Sequence, residues 1–427
     1  MIKETIYNLR RQPVVAAITI VGTALSIFLI MVFVMMNQVK VSPFAPESNR
    51  DRFMHYNWVS FRMINWDEGD SSNGPMSWRI VNELFYTFKA AEAVTAYTPY
   101  PDIKSVGLTG ERPCPTEVRE TDVAYFDVFD FSFISGKPFS REDFEAGIPV
   151  AVIDSNVARN LFGTERAEGK TFLINGGEYR VSGVVKPVSP LAKRAYAQVW
   201  INTMSTDSPM TSWSEIGGRY TVTMLRPDGK SPDDFRADFA GHLESYKKNL
   251  EIMYCEIINH NRPYTQEQVV AGDYANIEPD VSSYRRIGYT IYAILLLVPA
   301  INLASMTHSR MRKRVSEMAV RRAFGATRLS VFMDIIAENM LVTLLGGAIG
   351  LLLSVIAAFG FSGLFFTPMY GNSLSPITVN PAMLLQWSTF GLALLFCFVL
   401  NMLSAGLPAI QMSRLNIVNS LRGGANK

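Results

Sequence analysis

The sequence predicts an α-helical membrane protein with four transmembrane helices and an α+β extracytoplasmic domain between the first and second helices. Three observations predict it: four long apolar windows without a charged residue, a mixed strand-and-helix segment between the first two windows, and basic residues concentrated in the short connections. Of 427 residues, 48% are hydrophobic and only 18% charged, against about 25% charged in soluble domains. A net charge of +2 gives no bulk basicity, so nucleic acid is not expected as a partner.

Residues 1–13 read as a short cytoplasmic amphipathic helix. Ile2, Ile6 and Leu9 share a stripe and Lys3 and Arg10 lie off it, which suits the face of a membrane. Residues 14–36 form the first span, about 35 Å long as a helix against a hydrocarbon core of about 30 Å. The run is too long for a signal-peptide core and no A-x-A site follows, so it is an anchor. Residues 287–307 form the second span, and 280–286 extend its helix outward as a stalk. A charge-free stretch of 75 residues then follows Glu338. Pro368, Gly371, Asn372, Ser373, Pro376 and Pro381 turn it in the middle. Residues 339–407 therefore hold two spans with a short external loop, and 408–427 form a tail.

Orientation follows from Lys and Arg in the short connections. Residues 1–13, 308–338 and 408–427 hold thirteen basic residues against four acidic ones, whereas 37–286 hold 27 basic and 34 acidic. All three basic pieces fall on one side of a four-span topology. Both termini are thus expected in the cytoplasm of a multi-pass inner (plasma) membrane protein, with the large domain outside.

Residues 37–286 read as one extracytoplasmic domain, since no repeat or low-complexity linker divides them. Val150, Ala151 and Val152 suggest a short apolar strand, and 157–162 a helix that Gly163 stops. Residues 171–174 and 179–185 read as a hairpin around Asn175-Gly176-Gly177.

The cytoplasmic loop at 308–338 carries helix punctuation. Ser316 suits an N-cap, with Glu317 in the first turn where the helix dipole favours a negative charge. A helix over 318–324 ends at Gly325 as a C′ residue. Thr327 can cap the next helix, which runs through Asp334 and Glu338 into the third span. In that span Gly346 and Gly350, with Gly347 beside them, make a small-xxx-small pair at which two helices can approach closely.

Several chemistries lack their residues. Gly163 and Gly169-Lys170-Thr171 miss the phosphate-loop spacing by one residue. His55, His242, His260 and His308 show no metal-ligand spacing, and no Gly-x-Ser-x-Gly elbow occurs. No cofactor or metal is expected, and no enzyme activity. Three cysteines are too few for a disulfide scaffold, although Cys114 and Cys255 could pair in an oxidising compartment. The four spans contain no ionisable group, unlike those of ion-coupled transporters. Energy must then arrive from a partner at the inner face.

The loop Arg314-Val-Ser-Glu317-Met318-Ala319-Val320-Arg321-Arg322-Ala323-Phe324-Gly325-Ala326-Thr327, followed by Glu338 and Gly346-Gly347-x-x-Gly350, resembles the FtsX/MacB-type permeases of ABC transporters. Pro408-Ala409 and Asn416-Ile-Val-Asn-Ser-Leu421-Arg422 resemble the ending of that family. Tyr125-Phe126-Asp127-Val128-Phe129, Gly136-Lys137-Pro138-Phe139, the segment 150–163 and Tyr179-Arg180-Val181-Ser182-Gly183-Val184-Val185 look like a MacB-like periplasmic core domain.

The resemblance implies a dimer, homomeric or heteromeric, of four-span subunits driven by a cytoplasmic ABC ATPase. MacB-type chains with their own ATPase carry it at the N-terminus, and this chain starts at the membrane, so the ATPase is expected to be a separate subunit. Residues Glu317, Met318, Ala319, Val320, Arg321, Arg322, Ala323, Phe324, Gly325 and Ala326 would be the coupling helix that docks on it. Met318 and Phe324 offer apolar knobs there, and Arg321 and Arg322 can pair with acidic groups. Apart from the family, this basic segment could equally set topology and touch lipid headgroups. Further partners implied are membrane lipid and, for efflux, a periplasmic adaptor and outer-membrane duct. The expected function is an export permease that transmits ATP-driven motion outward. The alternatives are an FtsX-like scaffold that activates an extracytoplasmic partner such as a cell-wall hydrolase, a lipoprotein-releasing permease, and an anchored extracytoplasmic enzyme or receptor.

Overall fold

The computed structural model describes residues 13–427, except 66, 68–69, 253, 314–319, 321–323, 367–372, 385–390, 394, 397, 401, 403–405, 407–409 and 411–427. The expected helix at 1–13 and the tail therefore lie almost wholly outside the described residues. The chain divides into a helical unit (1–39, 285–365 and 379–427) and an outer unit (Lys40–Tyr284 with Phe366–Thr378).

In the helical unit, α1 spans Pro13–Val41. Thr19, Thr23, Ala24, Ile27 and Ile30 are buried, while Val14, Ile18, Val21, Leu25 and Leu29 form an exposed stripe at helical spacing. The hydroxyls on this apolar helix are satisfied by its own backbone: Thr23 Oγ1 donates to Thr19 O at 2.8 Å and Ser26 Oγ to Gly22 O at 2.6 Å. Two more helices of 33 residues follow, with Pro232–Ile252 of the outer unit taken as α2. They are α3 (Val281–Lys313) and α4 (Arg328–Gly360), each about 50 Å long at 1.5 Å per residue. Helix α3 begins six residues before its charge-free window, where the stalk is expected. Among the described residues, two helical stretches are long and apolar enough to cross a bilayer, Ala17–Val41 and Met340–Gly360.

The outer unit is α+β. Its strands are β1 (Phe53–Tyr56), β2 (Val59–Met63), β3 (Ser72–Gly74), β4 (Ala93–Tyr97), β5 (Asp102–Gly107) and β6 (Cys114–Thr121). Then come β7 (Phe133–Gly136), β8 (Val150–Asp154), β9 (Thr171–Ile174), β10 (Gly177–Val185) and β11 (Val199–Asn202). The last three are β12 (Thr221–Leu225), β13 (Cys255–Ile257) and β14 (Tyr264–Thr265).

Strands β6, β11, β8, β10, β9 and β5 pair in that order, and β5 returns to β6, so six strands close into a ring. Closure removes the free edges that an open sheet would expose. The seam is the parallel pairing of β6 with β11, Val118 opposite Val199 through Thr121 opposite Asn202. Val106, Val118, Ala151, Ile153, Phe172, Val181, Val199 and Ile201 form a buried cluster on these strands. The β9–β10 connection has Asn175 at φ 49° and Gly176 at φ 86°, two successive left-handed residues of the kind a two-residue hairpin turn requires. Gly163, at φ 69°, ends the helix Ser155–Phe162, whose N-cap Asp154 accepts from the Val157 amide.

A second core lies outside the barrel. Strands β4, β12, β1 and β14 continue the sheet, and Phe235 and Phe239 of α2 pack with Tyr56, Phe85, Phe88, Val222 and Met224 in a separate buried cluster. The outer unit thus has two cores, a subdivision that composition does not mark. Cys114 is exposed and Cys255 is buried, and no disulfide joins them.

Candidate functional site

On the loop between α3 and α4, Val320, Phe324, Gly325 and Ala326 are described, whereas Glu317, Met318, Ala319, Arg321, Arg322 and Ala323, like the expected Ser316 cap, lie outside the described residues. The Phe324 amide donates to Val320 O at 3.1 Å, one helical turn. Gly325 then sits at φ 101°, a left-handed conformation that breaks the turn. Two residues later Thr327 caps α4, its hydroxyl accepting from the Ser330 amide at 3.1 Å. The Phe324 side chain is 89% exposed, and Val320, Leu329 and Met333 are exposed beside it in sequence. An apolar knob therefore stands at a glycine break immediately before a rigid helix.

Further along α4, Thr343, Gly346, Gly347, Gly350, Ser354 and Ala358 are buried, while Leu345, Ile349, Leu352 and Ile356 are exposed. The stripe of small residues meets α1. A β-carbon on Gly346 would stand 2.7 Å from Thr23 Cβ, and one on Gly350 would stand 2.4 Å from the Ala24 carbonyl oxygen. Only a residue without a side chain fits there.

The first residues of the outer unit are fixed by a buried ion pair that no sequence motif marks. Glu47 and Arg50 form an ion pair at 2.6 Å with side chains 1% and 2% exposed. The remaining capacity of both groups is used, as a buried pair requires. Glu47 Oε1 accepts from the amides of Arg194 (2.8 Å) and Ala195 (3.1 Å). The Arg50 guanidinium donates to Ser42 O and Leu191 O, both at 3.1 Å, and lies 4.1 Å over the Phe44 ring. The i, i+3 spacing of Glu47 and Arg50 is visible in sequence, but their burial is not.

A second connection is directional. Gln266 Nε2 donates to the Lys40 carbonyl in the last turn of α1 at 2.8 Å, which turns its Oε1 toward His55 Nε2 at 3.0 Å. That nitrogen must carry the proton, so Nδ1 accepts from Thr223 Oγ1 at 3.1 Å. Thr223 in turn accepts from the Tyr97 hydroxyl at 2.7 Å. Burial, and then the nearby Arg194 charge, hold the His55 pKa well below the usual imidazole range, so the ring is neutral, as this network needs. The segment 259–275, which precedes α3, is fixed by Arg262, which is buried and donates to the carbonyls of Asn259, Tyr274 and Ala275. Among the described residues, no cluster of His, Cys, Asp and Glu could hold a metal.

The sequence matches the MacB-like periplasmic core domain over residues 16–241 and the FtsX-like permease C-terminal region over residues 289–417. It is 24% identical over 315 residues to the uncharacterized ABC transporter permease YknZ of Bacillus subtilis, an alignment covering 73% of this chain and 71% of that one. It is 26% identical over 302 residues to the macrolide export ATP-binding/permease protein MacB of Escherichia coli K12, covering 70% of this chain but 42% of MacB. The extracellular domain of YknZ from Gram-positive bacteria aligns over 48% of this chain and all of that domain, at 16% identity and a TM-score of 0.34. The periplasmic region of MacB from Actinobacillus actinomycetemcomitans aligns over 51% of this chain and 94% of that region, at 17% identity and a TM-score of 0.34. Both matched families describe permease parts, and neither is an ATPase domain. The chain belongs to the ABC transporter permeases that join a MacB-like periplasmic core domain to an FtsX-like permease region, a family that works with an ATPase partner.

Proposed function

We propose that this chain is the permease subunit of an ATP-driven exporter that transmits force across the inner membrane without an ATPase of its own. Four spans carry it: two within α1 and α4, a third within α3, and a fourth over the charge-free residues after Pro381. Two such subunits, identical or related, form the dimer on which a separate cytoplasmic ATPase acts. Residues 317–326 are the docking element. ATP-dependent closure of the partner shifts this element and rocks the adjoining spans, and the outer units change conformation in response.

The observation that carries the reading is the exposed Phe324 at the Gly325 break, directly before the Thr327 cap of a 33-residue helix. Force applied there enters a rigid rod. The export role is supported by the macrolide export protein MacB among the relatives, and a periplasmic adaptor with an outer-membrane duct would complete such a pathway. The test is co-purification of the cognate ATPase with the full chain, with and without R321E/R322E and Phe324→Asp. Loss of the ATPase from both variants is expected. Undiminished co-purification would remove the docking assignment, and a cell-wall hydrolase bound outside would favour the regulatory scaffold.

A further inference from the structure

Residues Phe366–Thr378, between α4 and the apolar stretch that opens at Pro381, group with the outer unit. Their described part, 373–378, lies on the barrel at four polar points. The Leu374 amide donates to Glu117 Oε2 at 3.1 Å and the Ser373 hydroxyl approaches the same oxygen at 3.3 Å. Ser373 Oγ is also 2.7 Å from the Tyr196 hydroxyl, which itself donates to Glu117. Gln198 Nε2 donates to Ser375 Oγ at 3.1 Å, and Ser189 Oγ to the Thr378 carbonyl at 2.5 Å.

Two of these points, Glu117 and Gln198, lie at the seam. Glu117 is on β6 and Gln198 directly precedes β11. They are stitched to each other, the Glu117 amide to Gln198 Oε1 and the Gln198 amide to Glu117 O, both at 2.9 Å. The Gln198 carbonyl accepts from the Asp154 amide at 2.9 Å, which adds the end of β8. One short segment therefore touches the residues that close the ring.

Glu117 is 4% exposed, and among the described residues no cation pairs with it. A buried carboxylate needs donors. Here they are Tyr196, which belongs to the barrel, and Ser373 and Leu374, which belong to the segment. Withdrawing the segment would leave the carboxylate with the tyrosine alone, open to water. The segment and Glu117 thus each satisfy the other's polar groups.

We infer that residues 373–378 form a strap seated on the barrel seam by Glu117, and that this strap couples the chain between α4 and the Pro381 stretch to the conformation of the outer unit. Glu117 is a positioning residue in this device. The inference rests on the force-transmission reading for its purpose, though not for its geometry. A movement that pulls the strap would strip donors from Glu117 and loosen the β6–β11 seam, and a seated strap would keep the ring closed.

Hydrogen–deuterium exchange on the full chain in nanodiscs tests the contact without any nucleotide. Glu117→Ala removes the acceptor, and Leu374→Pro removes the strap's amide donor while leaving every barrel residue in place. In both variants the 373–378 amides are expected to exchange about tenfold or more faster than in the parent chain, with β10 peptides, away from the seam, unchanged in Leu374→Pro. Equal exchange in parent and Leu374→Pro, or a parent strap as fast as a free peptide, overturns the inference. A second arm adds the ATPase partner and ATP. The parent is expected to show a nucleotide-dependent change at the seam that Glu117→Gln and Leu374→Pro reduce. A change of parental size in both variants overturns the coupling role. No change in the parent itself contradicts force transmission, while the strap stands or falls on the first arm.

Discussion

Gly350 lies so close to Ala24 that a β-carbon on it would come within 2.4 Å of the Ala24 carbonyl oxygen. The obstacle is backbone, which cannot swing away as a side-chain tip could. Gly350→Ala is therefore expected to lower the stability of the detergent-solubilised chain by about 1–3 kcal/mol, the range for overpacking. Gly346→Ala, against Thr23 Cβ at 2.7 Å, should act in the same direction. Gly22 meets nothing within 4 Å, so Gly22→Ala should be neutral or stabilise by up to about 1 kcal/mol through helix propensity. Thermal unfolding of the three variants side by side separates the close approach from a general intolerance of alanine.

Glu47 and Arg50 set the cost of disturbing the point where the chain leaves α1. Glu47→Ala leaves a buried guanidinium without its carboxylate and the amides of Arg194 and Ala195 without their acceptor. Breaking a buried pair this way costs about 3–5 kcal/mol. A melt within about 1 kcal/mol of the parent would show that water reaches Arg50 and that the clasp is dispensable.

Asp122 supplies a pH prediction. Burial pushes its pKa up to about 6, against the lowering pull of hydrogen bonds from Thr95, Tyr86 and the Ala96 amide. A carboxyl raised above its unfolded value takes up a proton more readily in the folded chain. Its contribution is present below pH 4 and is lost as pH rises through 6. The stability gap between the parent and Asp122→Asn should thus widen by about 1 kcal/mol from pH 7 to pH 5. Paired melts of the full chain at the two pH values measure it, and a gap that narrows on acidification contradicts the raised pKa.

Local signals were legible. The Asn175-Gly176 turn, the Gly163 stop, the Thr327 cap and the apolar run of β8 each depend on residues within one or two turns of chain. The closing of the barrel was not legible, because β6 and β11 pair in parallel from about 80 residues apart and neither alternates strictly. Glu117 looked like any other glutamate. Its burial comes from Tyr196 and from Leu374, 257 residues away, a separation that no periodicity records. Glu47 and Arg50 had the spacing of a weak surface pair, and only the loops around Ser42 and Leu191 make them a buried one.

The central claim is that nucleotide energy from a partner at the inner face becomes movement outside. The most direct measurement places a spin label at Met210→Cys, an 87% exposed position of the outer unit, in a Cys114→Ser background. The interprotomer distance is then read by pulsed EPR in nanodiscs containing the ATPase. A shifted distance distribution is expected when ATP is added to the complex, and none when ATP is added to this chain alone or to the R321E/R322E complex. An identical distribution with and without ATP in the intact complex, or ATP hydrolysis by this chain unaided, would contradict the claim.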